Sequence, residues 1–287
     1  MREAYFDRLK HIAFRGGKIA LELISSSDFW LKQDQSIITK ADVEISKLAY
    51  RAIEDLLNTS DHILIDEENA ESAEYFDHSH LENTPFIWVI DPIDGTRSFS
   101  NHMPNFGISI GLLKDLKPWL GVVYFPMLGE LFYFDGEQSF FVQNAFTESE
   151  KRKLISPIDL PVSHRSIFIS NDSFFEKFDW NFSDCRVMNP LCAVLSLCWP
   201  TIGRGCGAFF GAHIWDFAGS WPIFLSAGLS LRSYQTGNEI TQLDVELFAR
   251  NSEDPWKLRE FHILSSEKNF SLLKEKILPK NTTKLGT

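Results

Sequence analysis

An apolar run at residues 86–90 leads into two aspartates three residues apart, Asp91 and Asp94, and then directly into Gly95 and Thr96. Carboxylate oxygens are hard ligands of the kind that Mg²⁺ prefers. Backbone N–H groups that follow a glycine bind anions, particularly where a helix begins. Asp-Pro and Asp-Gly are also common turn formers, so the spacing taken alone favours a turn over a metal site. A site for a divalent metal and a phosphate is therefore predicted here only if further ligands converge on it.

Other acidic residues lie at the ends of other predicted elements. Asp42 opens a helical pattern, and Glu67 follows a strand predicted over residues 61–65. Asp216 stands at the start of a helix predicted from about residue 215 to 227. Taken singly, each acid is expected to cap a helix or to lie in a solvated turn.

The helices and strands that would position these acids are predicted from apolar periodicity. Residues 3–24 predict a helix in which Gly16 and Gly17 mark either close packing or a break. Residues 106–134 predict an antiparallel β-meander, and the polar segment 143–164 predicts a boundary between two subdomains. The other predicted elements are a helix after residue 39, strands at 86–90, 166–170, 207–210 and 260–264, and helical stretches near 173–180, 190–199 and 266–277.

Composition restricts the classes of partner. The chain has 287 residues and a net charge of −11, from 28 basic and 39 acidic residues. Without a basic surplus, nucleic acid and anionic membranes are not expected partners. We find no run of about 18 apolar residues and no signal-peptide pattern, and we expect a cytoplasmic protein. The four cysteines form no Cys-x-x-Cys pair, which argues against zinc and for reduced thiols in the core; they are Cys185, Cys192, Cys198 and Cys206.

The string from Trp88 to Thr96 resembles the signature of the inositol monophosphatase superfamily, in which a strand ends in Trp-hydrophobic-hydrophobic-Asp-Pro-hydrophobic-Asp-Gly-Thr. Residues 32–42 resemble the family's Lys-x-Asp-x-Ser-x-x-Thr-x-Ala-Asp segment. Residues 65–68 resemble its Gly-Glu-Glu, with aspartate in place of the glycine, and residues 215–219 resemble its Trp-Asp-x-Ala-Gly. The matches keep the family's order over about residues 32–230.

The resemblance implies an α/β fold of the inositol monophosphatase and fructose-1,6-bisphosphatase type, an α-β-α-β-α sandwich, usually as a homodimer. With the polar boundary, it predicts an N-terminal α+β subdomain at residues 1–145 that carries most metal ligands. A C-terminal α/β subdomain at residues 146–287 would carry Asp216 and the residues on the substrate side. The implied activity is Mg²⁺-dependent hydrolysis of a phosphomonoester by two-metal activation of water, with sensitivity to Li⁺.

The resemblance also implies metal-ligand roles for the matched residues, with two or three Mg²⁺ ions in each active site. Glu67, Asp91 and the backbone carbonyl of Ile93 would bind a first Mg²⁺. Asp91 would bridge to a second ion, which Asp94 and Asp216 would also bind.

Three further roles concern water and phosphate. Thr96, hydrogen-bonded to Asp42, would orient the attacking water, and Glu67 would share in catalysis. The N–H groups of Gly95 and Thr96 would hold the phosphate.

The alcohol half of the substrate is left open. Inositol-specific members have a glutamate a few residues before Trp-Asp, whereas residues 209–214 contain no acid. The family's Arg-x-x-Gly-Ser-Ala-Ala stretch is matched to residues 186–192, and Arg186, Asn189 and Phe209 are the substrate-side candidates. The substrate is expected to be a small phosphorylated polyol or amino alcohol, like inositol 1-phosphate. The alternatives are histidinol phosphate, a 3′,5′-bisphosphate nucleotide, and a non-catalytic homologue that binds metal or phosphate; no role is predicted for Arg97 or His213.

Overall fold

The computed structural model describes residues 1–25, 29–31, 37–69, 76–249 and 255–280. Residues 32–36, which begin the predicted Lys-x-Asp-x-Ser segment, lie outside the described residues. The α-helices are α1 (Arg2–Leu23), α2 (Lys40–Leu57), α3 (His78–Glu82), α4 (Thr96–Ser100), α5 (Phe174–Lys177), α6 (Ala193–Cys198), α7 (Trp215–Ala218), α8 (Trp221–Ser226) and α9 (Glu267–Lys276). Within these described ranges, 3₁₀ turns span Trp199–Ile202 and Val245–Leu247.

The strands form two large sheets and two small two-stranded ones. They are β1 (Phe29–Leu31), β2 (Ile37–Thr39), β3 (His62–Asp66), β4 (Phe86–Asp94), β5 (Gly107–Lys114), β6 (Lys117–Phe125), β7 (Glu130–Phe134), β8 (Ser139–Gln143), β9 (Lys151–Ile155), β10 (Ile167–Ile169), β11 (Phe178–Trp180), β12 (Arg186–Met188), β13 (Gly207–Phe210), β14 (Ser230–Ser233), β15 (His262–Ser265) and β16 (Ile277–Pro279).

The first sheet has seven strands in the order β3-β4-β5-β6-β7-β8-β9. Strand β3 runs parallel to β4, and every later pair is antiparallel. The meander predicted over 106–134 is therefore present, and it continues through β8 and β9. The division into subdomains at residue 145 stays a prediction, and β9 joins the first sheet although it lies beyond that residue.

Helices α1 and α2 cover one face of this sheet. Gly16 and Gly17 do not interrupt α1; they permit close packing. A Cβ atom at Gly17 would overlap the ring of Tyr124, and one at Gly16 would lie 3.2 Å from Ile45 Cγ2. Of the two readings of the glycine pair, close packing is the one that the structure shows.

The second sheet has the order β12-β10-β13-β15-β14, with β10 parallel to its two neighbours and the last two pairings antiparallel. Helices α6, α7 and α8 lie between the sheets, and α9 packs on β15 from outside. The layers are helix, sheet, helix, sheet, helix, so the predicted α-β-α-β-α sandwich is confirmed. No helix in the described ranges is both long and apolar enough to cross a bilayer.

The helix predicted from 215 to 227 is two short helices, α7 and α8, joined at Gly219. Helix α7 lies directly against strand β5. A Cβ atom at Gly111 would come within 2.6 Å of the carbonyl carbon of Ala218, so only glycine allows this approach. The backbone contact fixes the distance between α7 and the first sheet.

Candidate metal centre and adjoining cavity

A β-bulge brings Asp91 and Asp94 to the same side of strand β4. Residues three apart in a regular strand point to opposite faces. Here Asp91 pairs with Ser109 and Asp94 pairs with Gly107, so three steps along β4 oppose two along β5. A bulge accommodates one extra residue in this way, and it tolerates Pro92, which has no N–H to donate. The Asp-Pro-Ile-Asp spacing therefore places both carboxylates together.

Three aspartates from distant parts of the chain converge at this point. Carboxylate oxygens of Asp91, Asp94 and Asp216 all lie within 4.8 Å of one another, and all three residues are buried. Asp216 belongs to the first turn of α7, and its Oδ2 accepts the backbone N–H of His213 at 2.6 Å. His213 also stacks on Trp215 with 4.7 Å between ring centroids, which gives it a structural role beside the cluster.

Burial close to other negative charges raises the pKa of a carboxyl group unless a cation neutralises the charge. Burial, followed by the charges of Glu67 and the other acids, raises the pKa of Asp91 well above its usual range. Burial and Asp216 raise the pKa of Asp94 to about 7. Within the described residues, Oδ1 of Asp91 accepts no hydrogen bond although it is buried. An oxygen-only, acidic set with an unsatisfied buried acceptor fits Mg²⁺.

The carboxylate of Asp94 also caps helix α6. Its Oδ2 accepts the thiol of Cys192 at 2.8 Å and the N–H of Val194 at 2.8 Å. Its Oδ1 accepts the N–H of Ala193 at 3.1 Å. These donors satisfy amide groups that the first turn of a helix leaves unpaired. Asp94 is consequently held in place by three donors from the start of α6.

Leu191, which precedes α6, has φ +58°, a left-handed conformation that favours glycine. The match of Asn189 and Pro190 to the glycine and serine of the family's Gly-Ser-Ala-Ala stretch stays a prediction.

Glu67 lies next to the cluster without belonging to the trio of aspartates. It follows β3, and its N–H donates to the carbonyl of Ile90 at 3.3 Å, which places it one strand away from Asp91. Its charge is the second cause, after burial, of the raised pKa of Asp91. The parallel pairing of β3 with β4 therefore places Glu67 near Asp91, with which it is predicted to bind a metal ion.

The contacts of Thr96 and Asp42 differ from the predicted pairing. The Thr96 hydroxyl donates to the carbonyl of Ile93 at 2.9 Å, and a hydroxyl has a single proton to give. Asp42 instead forms the capping box of α2 with Thr39, whose N–H it accepts at 2.8 Å. The predicted hydrogen bond from Thr96 to Asp42 is replaced by these two local bonds.

Gly95 provides the turn between the cluster and α4. It has φ +86°, and a Cβ there would lie 2.7 Å from the carbonyl oxygen of Asn105. Both the conformation and the close approach require glycine. Thr96 begins α4 immediately afterwards, so the two N–H groups predicted to bind phosphate lie at the start of a helix.

A cavity of about 270 Å³ lies beside the start of α6, and its lining includes Cys192 and Ala193, which donate to Asp94. It contains the predicted candidates Asn189 and Phe209, whereas Arg186 is exposed on edge strand β12 and is not among the lining residues. Arg97 lies near its rim, 3.4 Å from Asp172. The lining residues are Ser170, Asn171, Asp172, Ser173, Asn189, Leu191, Cys192, Ala193, Ser196, Phe209, Phe210, Gly211 and Ala212.

Sequence reasoning missed the polar segment 170–173 of this lining. The available signal was its position: three polar residues, 171–173, directly follow the strand predicted over 166–170. The ring of Phe209 packs against Phe178 and Phe261, with centroids 5.0 Å apart in each case, so its side chain belongs to the core as well as to the cavity wall.

Comparisons with known proteins agree with this geometry. The chain is 25% identical over 248 residues to a 3′(2′),5′-bisphosphate nucleotidase CysQ of Buchnera aphidicola, covering 81% of this chain and 85% of that protein. It is 35% identical over 123 residues to a histidinol-phosphatase of Chlorobaculum parvum, covering 42% and 44%. The structure of an IMPase from Thermotoga maritima has the same fold, with a TM-score of 0.69, 20% identity and coverage of 94% and 96%. The sequence model of the inositol monophosphatase family matches residues 7–269, and the chain therefore belongs to that family of phosphatases.

Proposed function

We propose that the protein is a Mg²⁺-dependent phosphomonoester hydrolase that acts on a small phosphorylated alcohol. The observation that carries this proposal is the buried group of Asp91, Asp94 and Asp216, whose oxygens lie within 4.8 Å of one another. Such a group is costly to bury without a cation. The adjoining cavity gives the alcohol half of a substrate a place beside it. The further proposals of a homodimer, a cytoplasmic location and inhibition by Li⁺ rest on family membership.

The residues proposed for the site are of two kinds, metal ligands and groups that bind the phosphate. Asp91, Asp94, Asp216 and Glu67, with the carbonyl of Ile93, would hold Mg²⁺. When bound, Mg²⁺ supplies the positive charge that polarises a phosphoryl group and activates water.

The protein's own groups then orient the reactants. The N–H groups of Gly95 and Thr96 at the start of α4 would bind the phosphate oxygens. The hydroxyl of Thr96, bonded to Ile93, fixes the carbonyl that is proposed as a ligand. Burial of the cluster keeps bulk water from screening these charges. Asp42 would contribute by holding the N-terminus of α2 beside the site rather than by a hydrogen bond to Thr96.

The test is release of inorganic phosphate from a panel of esters, with Mg²⁺ or with EDTA. The panel contains myo-inositol 1-phosphate, L-histidinol phosphate, fructose 1,6-bisphosphate and adenosine 3′,5′-bisphosphate. We expect hydrolysis of at least one ester that EDTA abolishes, and a loss of about 100-fold or more in Asp91→Asn. Asp179→Asn, an exposed carboxylate on β11, is the matched control and should keep wild-type turnover. Wild-type turnover in Asp91→Asn would refute the proposal.

A further inference from the structure

Ser109 on strand β5 contacts the segments that carry two of the three aspartates of the candidate metal centre. Its backbone pairs directly with Asp91 of β4. Its hydroxyl donates to the carbonyl oxygen of Trp215 at 3.2 Å. That carbonyl belongs to the peptide unit that joins Trp215 to Asp216. The same residue of the first sheet is thus in register with one aspartate and hydrogen-bonded next to another.

Ser109 and Asp91 project from the same face of the first sheet. Residues directly opposite each other in an antiparallel pair have their side chains on one face. That face is the one against α7, because the Ser109 hydroxyl bonds to α7 and Gly111, two residues along β5, lies against Ala218. Asp91 therefore projects towards the helix on which Asp216 lies.

Helix α7 has few hydrogen bonds of its own to hold it in place. It is a single turn of 4 residues, and its N-cap residue, Ile214, makes no side-chain capping bond. A helix this short is not stable alone. At its end, the N–H of Gly219 would reach the carbonyl of Trp215 in a longer α-helix, but it donates to Phe217 instead. The Ser109 hydroxyl supplies a donor to the Trp215 carbonyl.

The Ser109 hydroxyl is closely packed as well as buried. The residue is 0% exposed, and a Cβ atom added at Gly219 would lie 2.5 Å from Ser109 Oγ. The chain that leaves α7 therefore passes directly over this oxygen. The hydrogen bond is shielded from bulk water, and its loss would leave the Trp215 carbonyl without this donor.

Resting on the proposed hydrolase function, we infer that Ser109 is a positioning residue of the metal centre. Its hydroxyl fixes the peptide unit that leads into Asp216, and its backbone pairing fixes the position of this bond relative to Asp91. Ser109 acts through Asp216 and not by contact with the substrate. Its contribution is to hold the carboxylates of Asp91 and Asp216 in the arrangement in which they bind a cation together.

Binding of Mg²⁺ without substrate tests this role. The rise in Tm of the metal-free protein with Mg²⁺ concentration gives the Kd. Ser109→Ala removes the hydroxyl and should raise this Kd about 2- to 12-fold, which corresponds to the net contribution of one hydrogen bond. Ser109→Cys keeps a weaker donor, so its Kd should lie between the two, and it carries the test if the alanine variant does not fold. A wild-type Kd in the variant tested would overturn the inference.

Ser265 provides the matched control for a purely structural role. It is also 0% exposed, and its hydroxyl donates to the backbone carbonyl of Ser266 at 3.0 Å, at the end of β15 in the second sheet. Ser265→Ala should lower the Tm of the metal-free protein much as Ser109→Ala does, and it should leave the Kd for Mg²⁺ unchanged. An equal rise of the Kd in both variants would show a general loss of stability and overturn the inference.

Turnover separates positioning from catalysis. With saturating Mg²⁺ and an ester that the wild type hydrolyses, kcat of Ser109→Ala should stay within about 3-fold of the wild type, because no group that meets the substrate is lost. The Mg²⁺ concentration for half-maximal activity should rise with the Kd. A larger loss of kcat would overturn the positioning role.

The outcomes also separate the inference from the function on which it rests. A wild-type protein that shows neither a rise of Tm with Mg²⁺ nor Mg²⁺-dependent hydrolysis would remove the proposed function, and the inference with it. A wild-type protein that shows both, beside a Ser109→Ala variant with an unchanged Kd, would overturn the inference alone.

Discussion

The thiol of Cys192 lies 2.8 Å from Oδ2 of Asp94, and the same oxygen accepts the N–H of Val194. The cap of helix α6 and the candidate metal ligand are thus one carboxylate. Its two oxygens accept donors from the start of α6, and one of them lies within 4.8 Å of oxygens of Asp91 and Asp216. The second half of the chain is in this way connected to the site at the end of β4.

Asp94→Asn should abolish Mg²⁺-dependent turnover in a protein that still folds. An asparagine side chain has one oxygen, which the donors of α6 will occupy, so its NH₂ group is left to repel a cation. We expect a loss of about 100-fold or more in phosphate release, with an unchanged far-UV circular dichroism spectrum. The matched control is Asp244→Asn, which alters a capping aspartate bonded to Glu246 N–H at 2.8 Å, outside the cluster. Wild-type turnover in Asp94→Asn would contradict the ligand assignment.

Asp91→Asn should stabilise the metal-free protein. Burial raises the pKa of Asp91 in the folded protein, so at pH 8 this carboxyl group lowers the free energy of unfolding, and a neutral side chain removes that cost. In EDTA the variant's Tm should exceed that of the wild type at pH 8, and the difference should shrink as pH falls and the wild-type carboxyl becomes protonated. Mg²⁺ should raise the Tm of the wild type and raise that of the variant less. A variant less stable than the wild type in EDTA at pH 8 would contradict this account.

Gly111→Ala should weaken both the fold and the site. The added Cβ would lie 2.6 Å from backbone atoms of Ala218, which cannot rotate away, so we expect a cost at the upper end of about 1–3 kcal/mol. Displacement of α7 would also move Asp216, so the Mg²⁺-induced rise in Tm should decrease. In Gly129→Ala the nearest atom to the new Cβ is 3.7 Å away, and only the strain of φ +61° applies. Urea denaturation measures the free energy of unfolding of each variant. Equal losses of stability in Gly111→Ala and Gly129→Ala would refute the contact with Ala218 as the cause.

His262 should make the protein less stable as pH falls below neutrality. Burial lowers the pKa of His262 to about 4, against an ordinary value of about 6.5. The unfolded chain therefore binds a proton before the folded one does. The contribution of neutral His262 to the free energy of unfolding is complete above about pH 6.5. It is lost progressively towards pH 4, by about 3 kcal/mol in total.

His262→Gln isolates this contribution. The difference in unfolding free energy between wild type and variant should fall as the buffer is changed from pH 7 to pH 5. His164→Gln is the control, because that side chain is 84% exposed. A difference between wild type and His262→Gln that does not vary with pH would rule out His262 as the titrating group.

The residues at strand ends show what the sequence could and could not predict. Asp91, Asp94 and Asp216 were predictable because their motifs are local and keep their order along the chain. That the first two point the same way depends on a bulge, and a bulge is visible only in the pairing with Ser109 and Gly107.

Contacts between distant segments were beyond sequence reasoning. The direction of the Thr96 hydroxyl depends on which acceptor lies nearer in space, and the structure favours Ile93. The left-handed Leu191 could not be foreseen, because no local residue preference indicates it. Ser170 and Asn171 read as ordinary polar residues near the end of a strand, because the apolar residues that line the same cavity come from a later part of the chain.

The three donors that hold Asp94 bear on the size of the cation that the centre would prefer. A carboxylate held by Cys192, Ala193 and Val194 is not free to move outward and lengthen its bond to an ion. Ca²⁺ takes about six to eight oxygens at ~2.3–2.6 Å, whereas Mg²⁺ takes six at ~2.0–2.1 Å in octahedral geometry. The hydrogen bonds from α6 would therefore favour Mg²⁺, the smaller ion, over Ca²⁺.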